Sequence, residues 1–314
     1  MVGAGSWGSA FARLLRDRGH AVTIACRDPA QARAIAETGR NPRSLTDADL
    51  NGIGATTIAD APYLEADLVA VAVPSRAFAE VVARIPGSAP ILTLTKGLDP
   101  ETGNLLHTLI EGRPAAALSG PTFAEEIAAG LPCATVIASR DERLAERLQE
   151  EINSSLFRVY VNTDLTGVEF CGAAKNVIAL AAGGVDGLRL GDNAKAGVIT
   201  RGVAEMTRLG SACGARPETF AGLAGMGDLM VTCWSRLGRN RRAGELIARG
   251  STPEQAAAEI GQVVEGLTTA PVLRDLSRRL AIELPITEAV CGILAGQSLQ
   301  ELAASLMGRR PKGE

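Results

Sequence analysis

Residues 3–26 read GAGSWGSAFARLLRDRGHAVTIAC, and the fold turns on this stretch. It opens with Gly3-Ala4-Gly5-Ser6-Trp7-Gly8, a G-x-G-x-x-G turn. A helical stretch, Ser9–Arg18, and an apolar run, Ala21–Ala25, follow it. Elements in this order form a unit that binds a dinucleotide. Gly3 makes the tight turn, Gly5 lets the backbone approach a pyrophosphate, Gly8 lets helix and strand pack closely, and the helix N-terminus faces the anion. The competing reading is a glycine-rich turn between unrelated elements, because glycine supplies 35 of the 314 residues. Met1 and Val2 precede the glycines, where a strand of about five residues is expected. Either the first strand is nearly absent or the natural start lies further upstream.

Working outward, apolar runs recur at Leu68–Val73, Pro90–Leu94, Ala115–Leu118, Ala134–Ala138 and Phe157–Val161, with helical stretches such as Arg76–Arg84 between them. Several are continuously apolar, as strands covered on both faces are. The alternation predicts βαβ units and a mostly parallel, doubly wound sheet. After the polar segment Asn162–Thr166 no strand pattern follows, and helical stretches near Leu165–Ala182, Asn193–Gly210, Asn240–Arg249 and Thr268–Leu280 take over. The predicted class is therefore α/β plus all-α: a Rossmann-type dinucleotide-binding domain over 1–165 and a helical substrate-binding and catalytic domain over 166–314.

Composition excludes other classes. A formal net charge of -3 gives no global basic field, and ten scattered aromatics make no stacking platform, so nucleic acid is not an expected partner. No apolar run approaches the ~20 residues of a membrane span, so no membrane insertion is expected. A glycine motif beginning at residue 3 leaves no room for a signal peptide. The six cysteines form no C-x-x-C, as in a reduced, cytoplasmic protein. Two distant histidines, His20 and His107, are too few for a metal site.

Several residues carry candidate chemistry. Arg27 ends the second predicted strand, and a guanidinium there suits a 2′-phosphate, which favours NADP(H); Asp28 next to it leaves NAD(H) open. Val73-Pro74-Ser75, Lys96-Gly97 and Ser119-Gly120-Pro121-Thr122-Phe123-Ala124 each follow a predicted strand, where ligands bind in doubly wound sheets. Each could also be simple turn chemistry. Lys175 and Asn176 interrupt a small, apolar helix. Lys175 reads either as part of a solvent-facing stripe or as a general acid with a depressed pKa in an interdomain cleft. Gly225-Met226-Gly227-Asp228 offers it a carboxylate, and Arg236, Arg239, Asn240, Arg241 and Arg242 form either a solvated helix face or a phosphate clamp. Thirteen of the 35 glycines fall between Thr166 and Gly227, and part of that excess is expected to let helices and backbone approach a small phosphate ester closely.

The chain resembles the bacterial-type NAD(P)-dependent glycerol-3-phosphate dehydrogenases. The matching segments are GAGSWGSA, CRDP, VAVPS, TKGL, LSGPTFAEE, CGAAKNVIAL with GGVDG, TRGVAEMTRLG, FAGLAGMGDLMVTC, GRNRRAGE, VVEG and LPITEAV, in family order from residue 3 to about residue 290. The resemblance implies a helical domain like the C-terminal one of 6-phosphogluconate dehydrogenase. It also implies reversible reduction of dihydroxyacetone phosphate to sn-glycerol 3-phosphate, which supplies phospholipid synthesis. Ser6, Trp7 and Arg27 would contact the cofactor, with Ala124 near it and Val263 and Glu265 closing over it. Lys96 would reach both cofactor and substrate, and Gly120 and Thr122 would line the substrate site. Lys175 would be the catalytic acid/base, helped by Lys96 and oriented by Asp228. Gly238, Arg239 and Asn240 would hold the phosphate, Arg239 also lying near the cofactor.

Two segments depart from the family. Gly238 replaces a serine, which removes a hydroxyl; its backbone N–H can still serve the substrate, so weaker substrate binding is expected rather than a changed reaction. Asn41-Pro42-Arg43-Ser44-Leu45 lacks the family's tyrosine, which leaves that loop without its implied cofactor contact. A homodimer is left open. The rival readings are a related dehydrogenase for another hydroxy acid or sugar phosphate, and a non-catalytic nucleotide sensor.

Overall fold

Val2 forms parallel bridges to Ala25 on one side and Val71 on the other, in a computed structural model that describes residues 1–298, 301, 304 and 308. Met1–Gly3 occupies the place of the predicted central strand. Four backbone hydrogen bonds hold it: Val2 to Ala70, Ala72 to Val2, Gly3 to Ala25 and Ala25 to Met1. Through Val2 this stretch joins β1 (Thr23–Cys26) and β2 (Gly54–Thr57) to β3 (Val69–Val71), β4 (Ile91–Thr93), β5 (Ala115–Ser119), β6 (Cys133–Ser139) and β7 (Phe157–Asn162). All pairs are parallel except β5 with β6. That exception follows from the connection. The chain leaves β5 at Ser119, makes the loop Gly120–Phe123 and the five-residue helix α4 (Ala124–Ala128), and re-enters the sheet from the same end.

Alternate side chains of the short strands serve opposite faces. Val69, Val71 and Ile91 pack with Phe78 and Val82 of α3 (Ser75–Ala83). Ala70 and Leu92 pack with Phe11 of α1 (Ser6–Asp17) and Leu144 and Leu148 of α5 (Glu142–Ile152). Ile24 and Cys26 meet Ala32 and Ile35 of α2 (Pro29–Thr38). Both faces being covered explains the continuous apolar runs in the sequence.

The chain divides into two units: Met1–Asp99 with Asn104–Glu169, and Pro100–Gly103 with the chain from Phe170 onward. The division therefore falls inside α6 (Leu165–Gly187). Of the stretch assigned by sequence to the helical domain, residues 299–314 other than 301, 304 and 308 lie outside the described residues. The second unit holds α7 (Gly191–Ala212), α8 (Pro217–Ala221), α9 (Asp228–Trp234), α10 (Arg239–Ala248), α11 (Pro253–Ile260), α12 (Glu265–Arg279) and α13 (Pro285–Leu294). Among the described residues it contains no strand.

One expectation changes here. By length and composition α6 could cross a membrane, although no apolar run was expected to approach that length. Lys175 and Asn176 break the run in the sequence but leave its mean hydropathy high. Of its most apolar window, 94% is buried inside the fold, as in the core helix of a folded unit. Two glycines of the helical unit, Gly183 and Gly244, serve helix-on-helix contact. A Cβ on Gly183 would lie 1.9 Å from the Arg241 carbonyl oxygen, and one on Gly244 would lie 2.0 Å from that of Leu180. Glycine at these positions lets α6 and α10 approach backbone to backbone.

Candidate active site

The first unit presents the glycine turn. Gly3 has φ +101°, and a Cβ there would lie 2.4 Å from the Ala72 carbonyl oxygen. A Cβ on Gly8 would lie 2.0 Å from the Gly3 carbonyl oxygen. Gly5, by contrast, is exposed and has nothing within 4 Å of where its Cβ would be. Gly5 is also the N-cap of α1, with no side chain capping the helix and no acidic residue in its first turn. The turn is crowded on its inner side and open at the helix N-terminus, which fits a pyrophosphate. Ser6 and Trp7 are half-buried; the Trp7 ring packs on Phe11 at 5.6 Å between centroids, and its Nε1 is buried without a hydrogen-bond partner. Arg27 is exposed at the end of β1 and has no hydrogen bond or ion pair among the described residues.

The same unit brings three more predicted residues together. Lys96 is half-buried just beyond β4, and its Nζ donates to the Gly120 carbonyl at 3.0 Å and to Thr122 Oγ1 at 3.3 Å. Thr95 Oγ1 donates to the Val73 carbonyl at 2.8 Å, tying together two neighbouring strand ends. Gly120 takes φ +147° with Thr135 pressed against it; a Cβ there would lie 2.9 Å from Thr135 Cα. Ala124 is buried at the start of α4.

In the second unit Lys175 is buried on α6, not on a solvent-facing stripe. Its Nζ meets Asp228 Oδ1 at 2.5 Å and Thr232 Oγ1 at 3.0 Å. Asp228 opens α9 directly after a π-helical turn, Leu223–Gly227. Thr232 lies one helical turn further on, and its hydroxyl donates to the Asp228 carbonyl at 2.5 Å. The carboxylate compensates a buried ammonium that would otherwise cost several kcal/mol. Burial pushes the adjacent Cys233 thiol up to about 12, so it stays protonated.

Asn240 is buried near the start of α10. Its Nδ2 donates to Asn176 Oδ1, and its Oδ1 accepts from the Gly266 N–H, both at 2.9 Å. Arg239 is exposed and reaches Gln262 Oε1 at 3.3 Å, beside exposed Val263 and half-buried Glu265. Gly238, the N-cap of α10, is buried, and a Cβ there would lie 2.5 Å from the Thr232 carbonyl oxygen. Its N–H donates to the Ser235 carbonyl at 3.1 Å, so the expectation that this N–H can serve the substrate is corrected. No side chain caps the first turn of α10. Arg241, grouped by sequence with the clamp, instead pairs with Asp186 at 2.6 Å and Glu245 at 3.0 Å.

The comparisons with known proteins bear on this geometry. A family model for the NAD-dependent glycerol-3-phosphate dehydrogenase N-terminus matches residues 1–145, and one for the C-terminus matches 164–304. The chain belongs to this family. The glycerol-3-phosphate dehydrogenase, NAD(P)+-linked, of Nocardia farcinica is 45% identical over 333 residues, covering 100% of this chain and 98% of the relative. That of Halorhodospira halophila is 42% identical over 323 residues, covering 100% and 97%. The solved glycerol-3-phosphate dehydrogenase of Coxiella burnetii superposes with a TM-score of 0.94 at 38% identity, covering 98% of each chain.

Within this member of the family, sequence reasoning passed over Thr232 and gave Asn176 no role. Thr232 follows Asp228 by four residues, a spacing that puts both on one helix face and could have exposed it. The signal for Asn176 was weaker, because its amide partner lies 64 positions away in the chain.

Proposed function

We propose that this chain reduces dihydroxyacetone phosphate to sn-glycerol 3-phosphate, and catalyses the reverse, using NADP(H) in preference to NAD(H). The observation that carries the reading is the buried Lys175–Asp228–Thr232 cluster in a chain whose glycine turn is built for a dinucleotide. The nicotinamide of the bound cofactor supplies the hydride. Lys175 gives its proton to the developing alkoxide at C2 and takes another from solvent, which restores its ion pair with Asp228. Asp228 and Thr232 fix the direction of its ammonium group. Lys96 adds positive charge toward the same oxygen, with Gly120 and Thr122 fixing its side chain. Arg239, Asn240 and the first-turn N–H groups of α10 bind the phosphate and so hold C2 in position. Ser6, Trp7 and Arg27 bind the cofactor along the glycine turn and the end of β1; Ala124, Val263 and Glu265 line its site.

Exposed Arg27 at the ribose end supports the preference for NADP(H). The same proposal takes the helical unit to be of the 6-phosphogluconate dehydrogenase C-terminal type and the location to be cytoplasmic, where the product feeds phospholipid synthesis. Purified protein mixed with dihydroxyacetone phosphate and either NADPH or NADH tests it, followed at the reduced-nicotinamide band. NADPH should be oxidised with the higher kcat/KM, and Arg27→Asp should reverse the ratio. A folded, NADPH-binding protein without turnover would overturn the activity; an unchanged ratio in Arg27→Asp would overturn the reading of Arg27.

A further inference from the structure

A second guanidinium stands at the end of β1, outside the residues already assigned to the cofactor. Arg43 is exposed, and its guanidinium is hydrogen-bonded and ion-paired to Asp28 Oδ2. The other oxygen of that carboxylate, Oδ1, accepts from the Ala30 N–H at 2.8 Å and caps α2. Both oxygens of Asp28 are therefore engaged by the protein. Asp28 follows Arg27, the exposed residue placed at the adenosine ribose.

The loop that carries Arg43 is fixed to the glycine turn. Asn41 is fully buried; its Nδ2 donates to the Ala4 carbonyl and to Ser9 Oγ, both at 2.9 Å. Its Oδ1 accepts from Gln31 Nε2 at 2.9 Å and from the Arg43 N–H at 3.0 Å. Ala4 lies inside the G-x-G-x-x-G turn, so whatever the turn binds is in register with Arg43.

We propose that Arg43 is a specificity-determining residue that, together with Arg27, recognises the 2′-phosphate of NADP(H). The inference rests on the NADP(H) preference argued above. Its physical basis is twofold. A guanidinium fork matches a phosphate with paired, charge-assisted hydrogen bonds. Arg43 also masks the Asp28 carboxylate, which would otherwise repel a 2′-phosphate and accept from the 2′-hydroxyl of NAD(H). The loop thus contributes to cofactor choice through Arg43, without the tyrosine that the family places next to it.

The test uses binding of 2′,5′-ADP and 5′-AMP, measured by calorimetry on the wild type, Arg43→Ala and Arg43→Lys. The wild type should bind 2′,5′-ADP the more tightly. Arg43→Ala should lose about tenfold or more in 2′,5′-ADP affinity, the value of one charge-assisted contact, with 5′-AMP nearly unchanged. Arg43→Lys should fall between, because lysine keeps the charge but not the fork. The NADPH/NADH ratio of kcat/KM should fall in parallel. Equal weakening of both probes, or undiminished 2′,5′-ADP binding in Arg43→Ala, would overturn the role of Arg43 and leave the NADP(H) preference standing. A wild type that does not distinguish the two probes would overturn that preference and this inference with it.

Discussion

Lys175 keeps its place in an apolar helix because Asp228 and Thr232 meet it there. The two partners differ in kind. Asp228 balances the charge, whereas Thr232 fixes direction: its hydroxyl accepts from Lys175 while donating to the Asp228 carbonyl. Thr232→Val keeps the shape and removes that contact. The expected result is a drop in kcat of roughly ten- to a hundredfold, the range of a hydrogen bond to a charged group, with KM close to the wild type. An unchanged kcat in steady-state assays would contradict the positioning role. Glu205 of α7 gives a residue-scale prediction about pH. It is buried, and its carboxylate accepts from the N–H groups of Ile286 and Thr287 at the start of α13. Burial raises its pKa above the usual carboxylate value. The folded state therefore holds this proton more tightly than the unfolded chain. The group's contribution to stability is greatest below the ordinary carboxylate value of about 4.5 and declines as pH rises through the raised folded value. Urea denaturation of wild type and Glu205→Gln across that range should show the wild type losing stability relative to the variant as pH rises. A difference that does not change with pH would refute this.

At the scale of elements, the α6–α10 contact carries Asn240 to Asn176. Gly183 and Gly244 are the residues that allow it, because any Cβ would meet a carbonyl of the opposing helix. Gly244→Ala should destabilise the protein by about 1–3 kcal/mol through overpacking, despite alanine's better helix propensity. Chemical denaturation checks this, and a neutral or stabilised variant would contradict the packing account. These glycines also show where a sequence falls short. Their excess is plain in the composition, but which helices they join depends on partners about 60 residues away, and nothing local encodes that. The sheet was more legible. Strands buried on both faces announce themselves as apolar runs, whereas β2, which reads Gly-Ala-Thr-Thr and lies at the sheet edge, is partly exposed and gave no such signal. The direction of β6 was hidden in another way. Its apolar run marks a strand, but its direction is set by the short connection from β5, which periodicity does not register.

For the whole molecule, the proposed function divides the work between the two units. The first carries the glycine turn, Arg27 and Lys96; the second carries Lys175 with Asp228 and Thr232, and the N-terminus of α10. Most of these residues could be named from sequence because each sits in a motif of its own unit. What could not be read was the service each performs inside the fold: Gly238 spends its N–H on Ser235, Arg241 pairs with Asp186, and Asn41 pins a loop to the fingerprint. Such pairings are set by tertiary packing. The central proposal is that Lys175 is the proton donor in a dehydrogenase whose glycine turn belongs to the other unit. Lys175→Ala, assayed for NADPH binding by fluorescence and for turnover of dihydroxyacetone phosphate, tests it most directly. The account predicts NADPH affinity within a few-fold of the wild type and a kcat lowered by about a hundredfold or more, the weight of a general acid. A variant that binds NADPH and turns over at close to the wild-type rate would contradict it.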